Sequence, residues 1–394
     1  MSEAYIVAAG RTAGGRRRGR LASLHPVDLA AQLLDGLIDR AAIDPALVED
    51  VVMGCVGQGG EQSQNVARNA VLASRRLPES VPGVSVDRQC GSSQQALHFA
   101  TALVKSGIQD VVIAAGVEHM TRVPMFSPST LAEQAGMGTY YQAEGIRRRY
   151  PDILFSQFTG AESVARKYRL SREAMDEFAL ASHQKAATAT AAGEFKSEII
   201  PISVQAADGS QFSHAVDEGI RADATLEAIA ALKPITPGGL LTAGSASQIC
   251  DGASGALIMN EEGLKRTGAD PLARLHHVSV LGHDPVIMLE APIPATAHAL
   301  KKSGMSIADI DAYEINEAFA SIPMAWLQAT RADPARLNRR GGSIALGHPL
   351  GATGTKLLST LLCTLDARKE RWGLQVMCEG GGLANVTIVE NLRR

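Results

Sequence analysis

The sequence predicts an α/β protein made of two similar halves, with parallel-rich sheets packed around central helices and a loop domain inserted into the first half. Three observations carry this expectation. Short apolar runs alternate with stretches of helical periodicity along most of the 394 residues, the pattern that builds sheets covered by helices. The pattern then repeats: Asp44 to Gly54, a helix end followed by Val48-Glu-Asp-Val-Val-Met53, is echoed by Ser306 to Ile315, and the turn, helix and strand around Cys90 are echoed around His348. Between the halves, the echo is broken by a polar stretch with aromatics at Tyr140, Tyr141 and Tyr150. The division that follows is 1–118 with 251–270 for the first half, 119–250 for the insert and 271–394 for the second half. A chain of this length exceeds one ordinary core, so two or three domains are expected.

Taken in order, the apolar stretch Ala4 to Ala9 reads as the first strand, since it lacks the basic lead and the length of a secretory leader. Val84 and Val86 mark a short strand before Cys90. After it, Ala96, Leu97, Ala100, Leu103 and Val104 recur at helical spacing until Gly107 ends the run, and a strand follows from Asp110 to Gly116. In the insert, Ser171-Arg-Glu-Ala offers an N-cap to a helix from Ser171 to Ala192. In the second half, Lys356 to Leu365 resumes a helical pattern and Leu374 to Gly380 reads as a strand.

Cys90 therefore sits at the mouth of a helix. Unpaired N–H groups and the positive dipole end favour a thiolate there, and the same N–H groups could hold an oxyanion. A free cysteine alone is more often a small buried hydrophobe; Gly91, Ser92 and Ser93, which crowd nothing, favour the reactive reading. His348, in Gly341-Gly-Ser-Ile-Ala-Leu-Gly-His348-Pro-Leu-Gly-Ala-Thr-Gly354, is richer in neighbouring glycine than a packed core histidine needs and is a candidate general base. Cys378 ends an apolar strand and runs into Gly380, Gly381 and Gly382, which would open the backbone to a ligand. Two thiols and an imidazole point to acyl-thioester chemistry.

These motifs resemble those of the thiolases, the enzymes that cleave or form 3-ketoacyl-CoA, and the resemblance covers nearly the whole chain. It runs from Ile6-Val-Ala-Ala-Gly-Arg-Thr12 through Ser85-Val-Asp-Arg-Gln-Cys90-Gly-Ser-Ser-Gln-Gln-Ala96 and Asn316-Glu-Ala-Phe319 to the His348 and Cys378 blocks. It implies that Cys90 becomes acylated, His348 activates it, and Cys378 moves the proton on the acetyl carbon. Asn316 would orient a water in one oxyanion hole with His348, and Gly380 would help form a second with the Cys90 N–H. By the same resemblance the insert binds coenzyme A as a substrate, with no resident cofactor. Arg221, in Asp217-Glu-Gly-Ile-Arg221, would stack on the adenine, and Ser247, in Ala243-Gly-Ser-Ala-Ser247, would meet the pantetheine. A homodimer or homotetramer is implied too.

The chain also departs from the family. Ser92-Ser93-Gln94-Gln95 replaces the more common Ser-Gly and apolar residue, which suggests a subgroup handling bulky or sterol-derived acyl chains. Ser156-Gln-Phe-Thr-Gly-Ala-Glu-Ser163 lacks the histidine many members carry in the loop over the substrate, and Glu379 stands where biosynthetic members have an apolar residue. The expected reaction is thiolytic cleavage; condensation of two acetyl-CoA and a non-catalytic lipid-binding role are the alternatives. A decarboxylating condensing enzyme would lack Cys378, and a cysteine hydrolase would need only Cys90 and His348.

A net charge of −3 and a pI near 6.4 give nucleic-acid binding no support. The one basic cluster, Arg16, Arg17, Arg18 and Arg20, reads as a solvated loop or as a contact for an anionic ligand or a second subunit. Five cysteines at no metal-like spacing suit a reducing, cytoplasmic setting without a metal site. No apolar run approaches the roughly 18 residues of a membrane span. Neither a Gly-x-x-x-x-Gly-Lys nor a Gly-x-Gly-x-x-Gly motif stands in a strand-to-helix setting, which leaves nucleotide hydrolysis and hydride transfer unsupported.

Overall fold

The computed structural model describes residues 2–206 and 208–393. The first half opens with β1 (Tyr5–Arg11), a short β2 (Gly15–Arg16) and α1 (Pro26–Ala41). It continues through β3 (Asp50–Gly54), α2 (Val66–Ala73), β4 (Gly83–Val86), α3 (Ser92–Ser106) and β5 (Val111–His119). The following segment carries α4 (Ser127–Gln134), α5 (Glu144–Arg149), α6 (Gln157–Lys167), α7 (Arg172–Ala191), the hairpin β6 (Ile202–Gln205) and β7 (Gln211–His214), and α8 (Leu226–Ala230). Next come β8 (Cys250–Met259) and α9 (Glu261–Thr267). The second half has β9 (Ala273–Gly282), α10 (Pro292–Ser303), β10 (Ala312–Ile315), α11 (Ser321–Thr330), α12 (Ser343–Leu346), α13 (Thr353–Arg368), β11 (Trp372–Glu379) and β12 (Leu383–Asn391).

The duplication read from the sequence is plain in the strand order. The main sheet runs β10-β11-β12-β9-β1-β8-β5-β3-β4, so β3-β5-β8-β1 on one side mirrors β10-β11-β12-β9 on the other, meeting where β1 pairs with β9. Pairing types match as well: β3·β5 and β10·β11 are parallel, β5·β8 and β11·β12 antiparallel, β8·β1 and β12·β9 antiparallel. The α/β class holds, but the sheet is mixed where parallel neighbours were expected to dominate. Parallel pairs, β3·β4 among them, are confined to strands joined through a helix. The return strands β8 and β12 run against their neighbours.

Central helices pack the halves together. Ala96, Leu97, Ala100 and Val104 of α3 share one buried cluster with Leu358, Leu361, Leu362 and Leu365 of α13 and with strand residues of both halves. The helices meet closely at their first turns, where a Cβ on Gly354 would overlap the backbone of Gln94. Close helix approach therefore explains that glycine. The site is built where the two first turns come together.

Candidate active site

Cys90 lies on a sharp turn between β4 and α3. Gly91 N–H donates to Arg88 O at 3.0 Å, Ser92 N–H to Gln89 O at 3.0 Å, and Ser92 Oγ both donates to Gln89 O at 2.6 Å and accepts from Arg88 N–H at 2.9 Å. Gln89 has φ +49°, a left-handed conformation that costs a non-glycine residue about 1 kcal/mol and holds the next side chain in place. The thiol is 8% exposed in a cluster with Met120, Leu350, Leu357 and Met377. Burial pushes it well above the ordinary cysteine range, and charge on Cys378 or Glu379 would push it further, while its own N–H works the other way. Burial at the helix mouth thus favours the neutral thiol, against the thiolate that the dipole favours.

His348 arrives from the second half through α12 and Gly347, whose φ of +79° places a Cβ into Cys250 and so demands glycine. Its Nδ1 lies 2.6 Å from Thr353 Oγ1, and that hydroxyl donates to Pro349 O at 2.8 Å. Having spent its proton, the hydroxyl can only accept, so Nδ1 carries the imidazole hydrogen and Nε2 presents a lone pair. Asn316 Nδ2 points a donor at that lone pair from 3.5 Å. Burial, helped by Lys356, lowers the imidazole to about 3, so it is neutral and able to take a proton. Lys356 is itself tied to Leu346 O and Gly347 O.

Three residues of Asn316-Glu-Ala-Phe319 have separate side-chain contacts. Asn316 Oδ1 accepts from Ser343 Oγ at 2.6 Å, which aims its Nδ2 toward His348 and, at 3.8 Å, toward Cys378 Sγ. The Glu317 carboxylate accepts from Ser182 Oγ, Asn338 Nδ2 and Ile344 N–H, fixing the backbone that leads to His348. Phe319 stacks edge-on against Phe158 with centroids 5.8 Å apart. Cys378, at the end of β11, is 1% exposed, and burial pushes its thiol up to about 12. Cys90, His348, Asn316 and Cys378 are thus brought to one place.

Two clefts converge on this group. One, of about 700 Å³, is lined by Arg16, Arg17, Arg221 and Ser247 together with His348 and Leu350. The other, of about 820 Å³, is lined by Gln89 and Gly380 and walled by Phe126, Tyr140, Tyr150 and Phe155. Gln157 and Phe158 stand between them, lining both. All seven residues singled out from the sequence therefore border the two clefts or the group between them, and Arg16 and Arg17 join them. Thr353, Ser343 and Glu118 were missed. Thr353 and Ser343 lie inside the quoted glycine-rich block, where hydroxyls five residues after and before the histidine were the available signal. Glu118 gives none: a strand-end carboxylate that accepts from the Val56, Gly57 and Gly351 N–H groups and joins the loop after β3 to the turn after His348.

Among the described residues, no group of His, Cys, Asp and Glu is placed to hold a metal ion, and no helix is long and apolar enough to cross a membrane. The five cysteines are free, with Cys363 half-buried and the others buried. Family comparison matches residues 4–262 to the thiolase N-terminal domain and residues 269–391 to the thiolase C-terminal domain. The chain is 51% identical over 393 residues to the steroid 3-ketoacyl-CoA thiolase FadA6 of Mycobacterium tuberculosis, covering 100% of this chain and 95% of that one. It is 40% identical over 407 residues to the 3-ketoacyl-CoA thiolase of Serratia proteamaculans, with both chains fully covered. Among solved structures, the acetyl-CoA acetyltransferase of Bacillus anthracis superposes with a TM-score of 0.90 at 34% identity, over 100% of this chain and 99% of that one. With both domains matched, and the turn at Cys90, the buried His348 and the second thiol in the matched stretches, this chain belongs to the thiolase family.

Proposed function

We propose that this enzyme catalyses the coenzyme-A-dependent cleavage of 3-ketoacyl-CoA to acetyl-CoA and a shortened acyl-CoA. His348 Nε2 takes the proton of Cys90, whose sulfur attacks the 3-keto carbon. The bond between C2 and C3 then breaks, its electron pair passes to the acetyl-CoA enolate, and the Cys378 thiol protonates that carbon. Free coenzyme A gives its proton to the Cys378 thiolate and attacks the acyl group. The released Cys90 sulfur recovers its proton from His348. A water held by Asn316 with His348, and the N–H groups of Gly380 and Cys90, stabilise the two oxyanions; one such donor is worth about 10²- to 10³-fold.

The observation that carries this reading is the placement of His348, with Nδ1 against Thr353 Oγ1 and Nε2 toward the space shared with Asn316 and Cys378. Coenzyme A would lie in the cleft with Arg221 over its adenine and Ser247 at its pantetheine, and residues 119–250 would be its binding unit, within a first half of 1–118 and 251–270. It acts as a substrate, with no resident cofactor. The larger cleft beside Gln89 has room well beyond an acetyl group, which favours degradation of long or bulky acyl chains over condensation of two acetyl-CoA. Five free cysteines fit a cytoplasmic enzyme. Assembly as a homodimer or homotetramer belongs to the same reading and is checked by light scattering.

Incubation with acyl-CoA followed by peptide mapping should find the adduct on Cys90. Cys378→Ala should still be acylated there but lose solvent exchange of the acetyl α-protons. Label on Cys378 or Cys55 would reverse the assigned roles.

A further inference from the structure

The reaction above gives no part to the buried ammonium of Lys356. This residue stands in the first turn of α13, three positions after Thr353, so both side chains leave the same face of the helix. Thr353 Oγ1 meets His348 Nδ1, while Lys356 Nζ donates to Leu346 O at 2.5 Å and to Gly347 O at 2.7 Å, the two carbonyls that lead into the imidazole. One helical turn therefore grips the histidine both by its ring and by its backbone. From the other side Gly347 abuts Cys250 of β8, whose Sγ and Cβ an added Cβ would overlap.

Nothing in α13 itself calls for a cation here. A positive charge in the first turn of a helix opposes the dipole, and Lys356, 3% exposed, has given up its hydration as well. Burial lowers it from the ordinary lysine range and Arg11 adds to this, while Cys250, Asp217 and Glu198 work the other way. Those two carboxylates are already engaged by Arg11. The ammonium so held is also the charge that acts on the His348 ring.

Resting on the thiolase reading, we propose that Lys356 is a positioning residue of the reaction: its ammonium clamps the backbone in front of His348, and its charge opposes a second positive charge on the ring. The consequence falls on the proton that His348 borrows. Nε2 takes it from the Cys90 thiol as the sulfur attacks, and the ring becomes an imidazolium under the influence of Lys356. The like charges then favour return of that proton to the Cys90 sulfur when coenzyme A takes the acyl group. His348 is thus restored to its neutral form in each turnover.

The test follows the rate of Cys90 acylation against pH in the wild type, Lys356→Met and Lys356→Arg, with kcat and KM for coenzyme A alongside. Lys356→Met removes clamp and charge together. It should lower the plateau by about 10- to 100-fold through misplacement of the base, with KM little changed, and move the acid limb up by about one pH unit or more, the effect of losing a nearby like charge. Lys356→Arg keeps charge and donors, and its acid limb should stay where the wild type has it. An acid limb that stays put in Lys356→Met, or moves as far in Lys356→Arg, overturns the proposal, as does a loss confined to KM. If Lys356→Met does not fold, ¹⁵N NMR of the lysine side chains in the wild type decides: Lys356 Nζ found as an ammonium at about pH 7 supports the proposal, and a neutral amine there overturns it. Absence of both acylation and 3-ketoacyl-CoA cleavage in the wild type would instead overturn the thiolase reading.

Discussion

Burial opposes the charged forms of Cys90 and His348 alike, and at Cys90 its own N–H works only partly against this. The proton therefore has to move during the reaction. Alkylation of Cys90 by iodoacetamide should keep accelerating from about pH 7 to about pH 9, as expected of a thiol titrating at or above its ordinary range. A plateau already reached near neutrality would mean a preformed thiolate. The direction of that transfer depends on Thr353, which consumes the Nδ1 hydrogen and leaves Nε2 as the acceptor. Thr353→Val keeps the shape but removes the acceptor, so the buried Nδ1–H loses its partner and the other tautomer becomes competitive. We expect acylation of Cys90 to slow by about 10- to 100-fold, short of the roughly 10²- to 10⁴-fold worth of the base itself, with KM for coenzyme A little changed. Stopped-flow acylation at fixed substrate measures this; a loss appearing only in KM would assign Thr353 to substrate binding.

At the scale of elements, the strand, turn and helix around Cys90 and the helix and strand that follow His348 were legible because apolar spacing and the glycine stops at Gly107 and after Cys378 are local signals, whereas the short α12 that stands before His348 was not. What ties these units to the insert was not legible. Arg11, the end of β1, is fully buried: its Nε meets Glu198 at 2.6 Å and its Nη1 and Nη2 meet Asp217 at 2.7 and 3.0 Å. Glu198 also accepts from Thr360 of α13 at 2.9 Å, and Asp217 from Gly14 N–H at 2.7 Å. Partners 187 and 206 residues away leave no periodic trace, and Arg11 reads in the sequence only as part of a motif. Asp217 leads directly into Glu218 and Arg221, so this ion cluster sets the position of the proposed adenine loop. Arg11→Met would strand two buried carboxylates, at a cost of about 3–5 kcal/mol, seen as a lower denaturation midpoint together with weaker coenzyme A binding. Burial opposes the Asp217 charge, but Arg11 holds its carboxyl below the usual range. A depressed carboxylate adds stability that is full above its unfolded value of about 4 and fades as the pH falls through the folded value. The stability gap between wild type and Arg11→Met should therefore narrow below about pH 4; a gap that widens there would show that the charges do not carry it.

For the whole molecule, the sequence echo predicted two halves and the strand order bears it out, yet the echo carries no information on strand direction. The antiparallel β8 returns at the end of the long segment after β5, whereas β12 turns back on β11 through Gly380, Gly381 and Gly382, and in both cases the pairing is decided by where the chain returns rather than by the composition of the strand. The same geometry bears on how the molecule unfolds. Two α/β halves joined only through the short β1·β9 contact, Tyr5 with Arg274 and Ile6 with Ala273, would be expected to melt separately. Here α3 and α13 are shared: Leu358, Leu361 and Leu365 of α13 are fully buried against α3 and strands of both halves of the sheet, and Glu198 adds a polar tie to α13. Neither half can open without exposing the other's inner face. Calorimetry should accordingly show one transition. Leu361→Ala should destabilise by about 2–5 kcal/mol through the cavity it leaves, and should move the single transition down as a unit. Two resolved transitions in that variant, one of them at the wild-type temperature, would show that each half carries its own core and that the central helices only rest against each other.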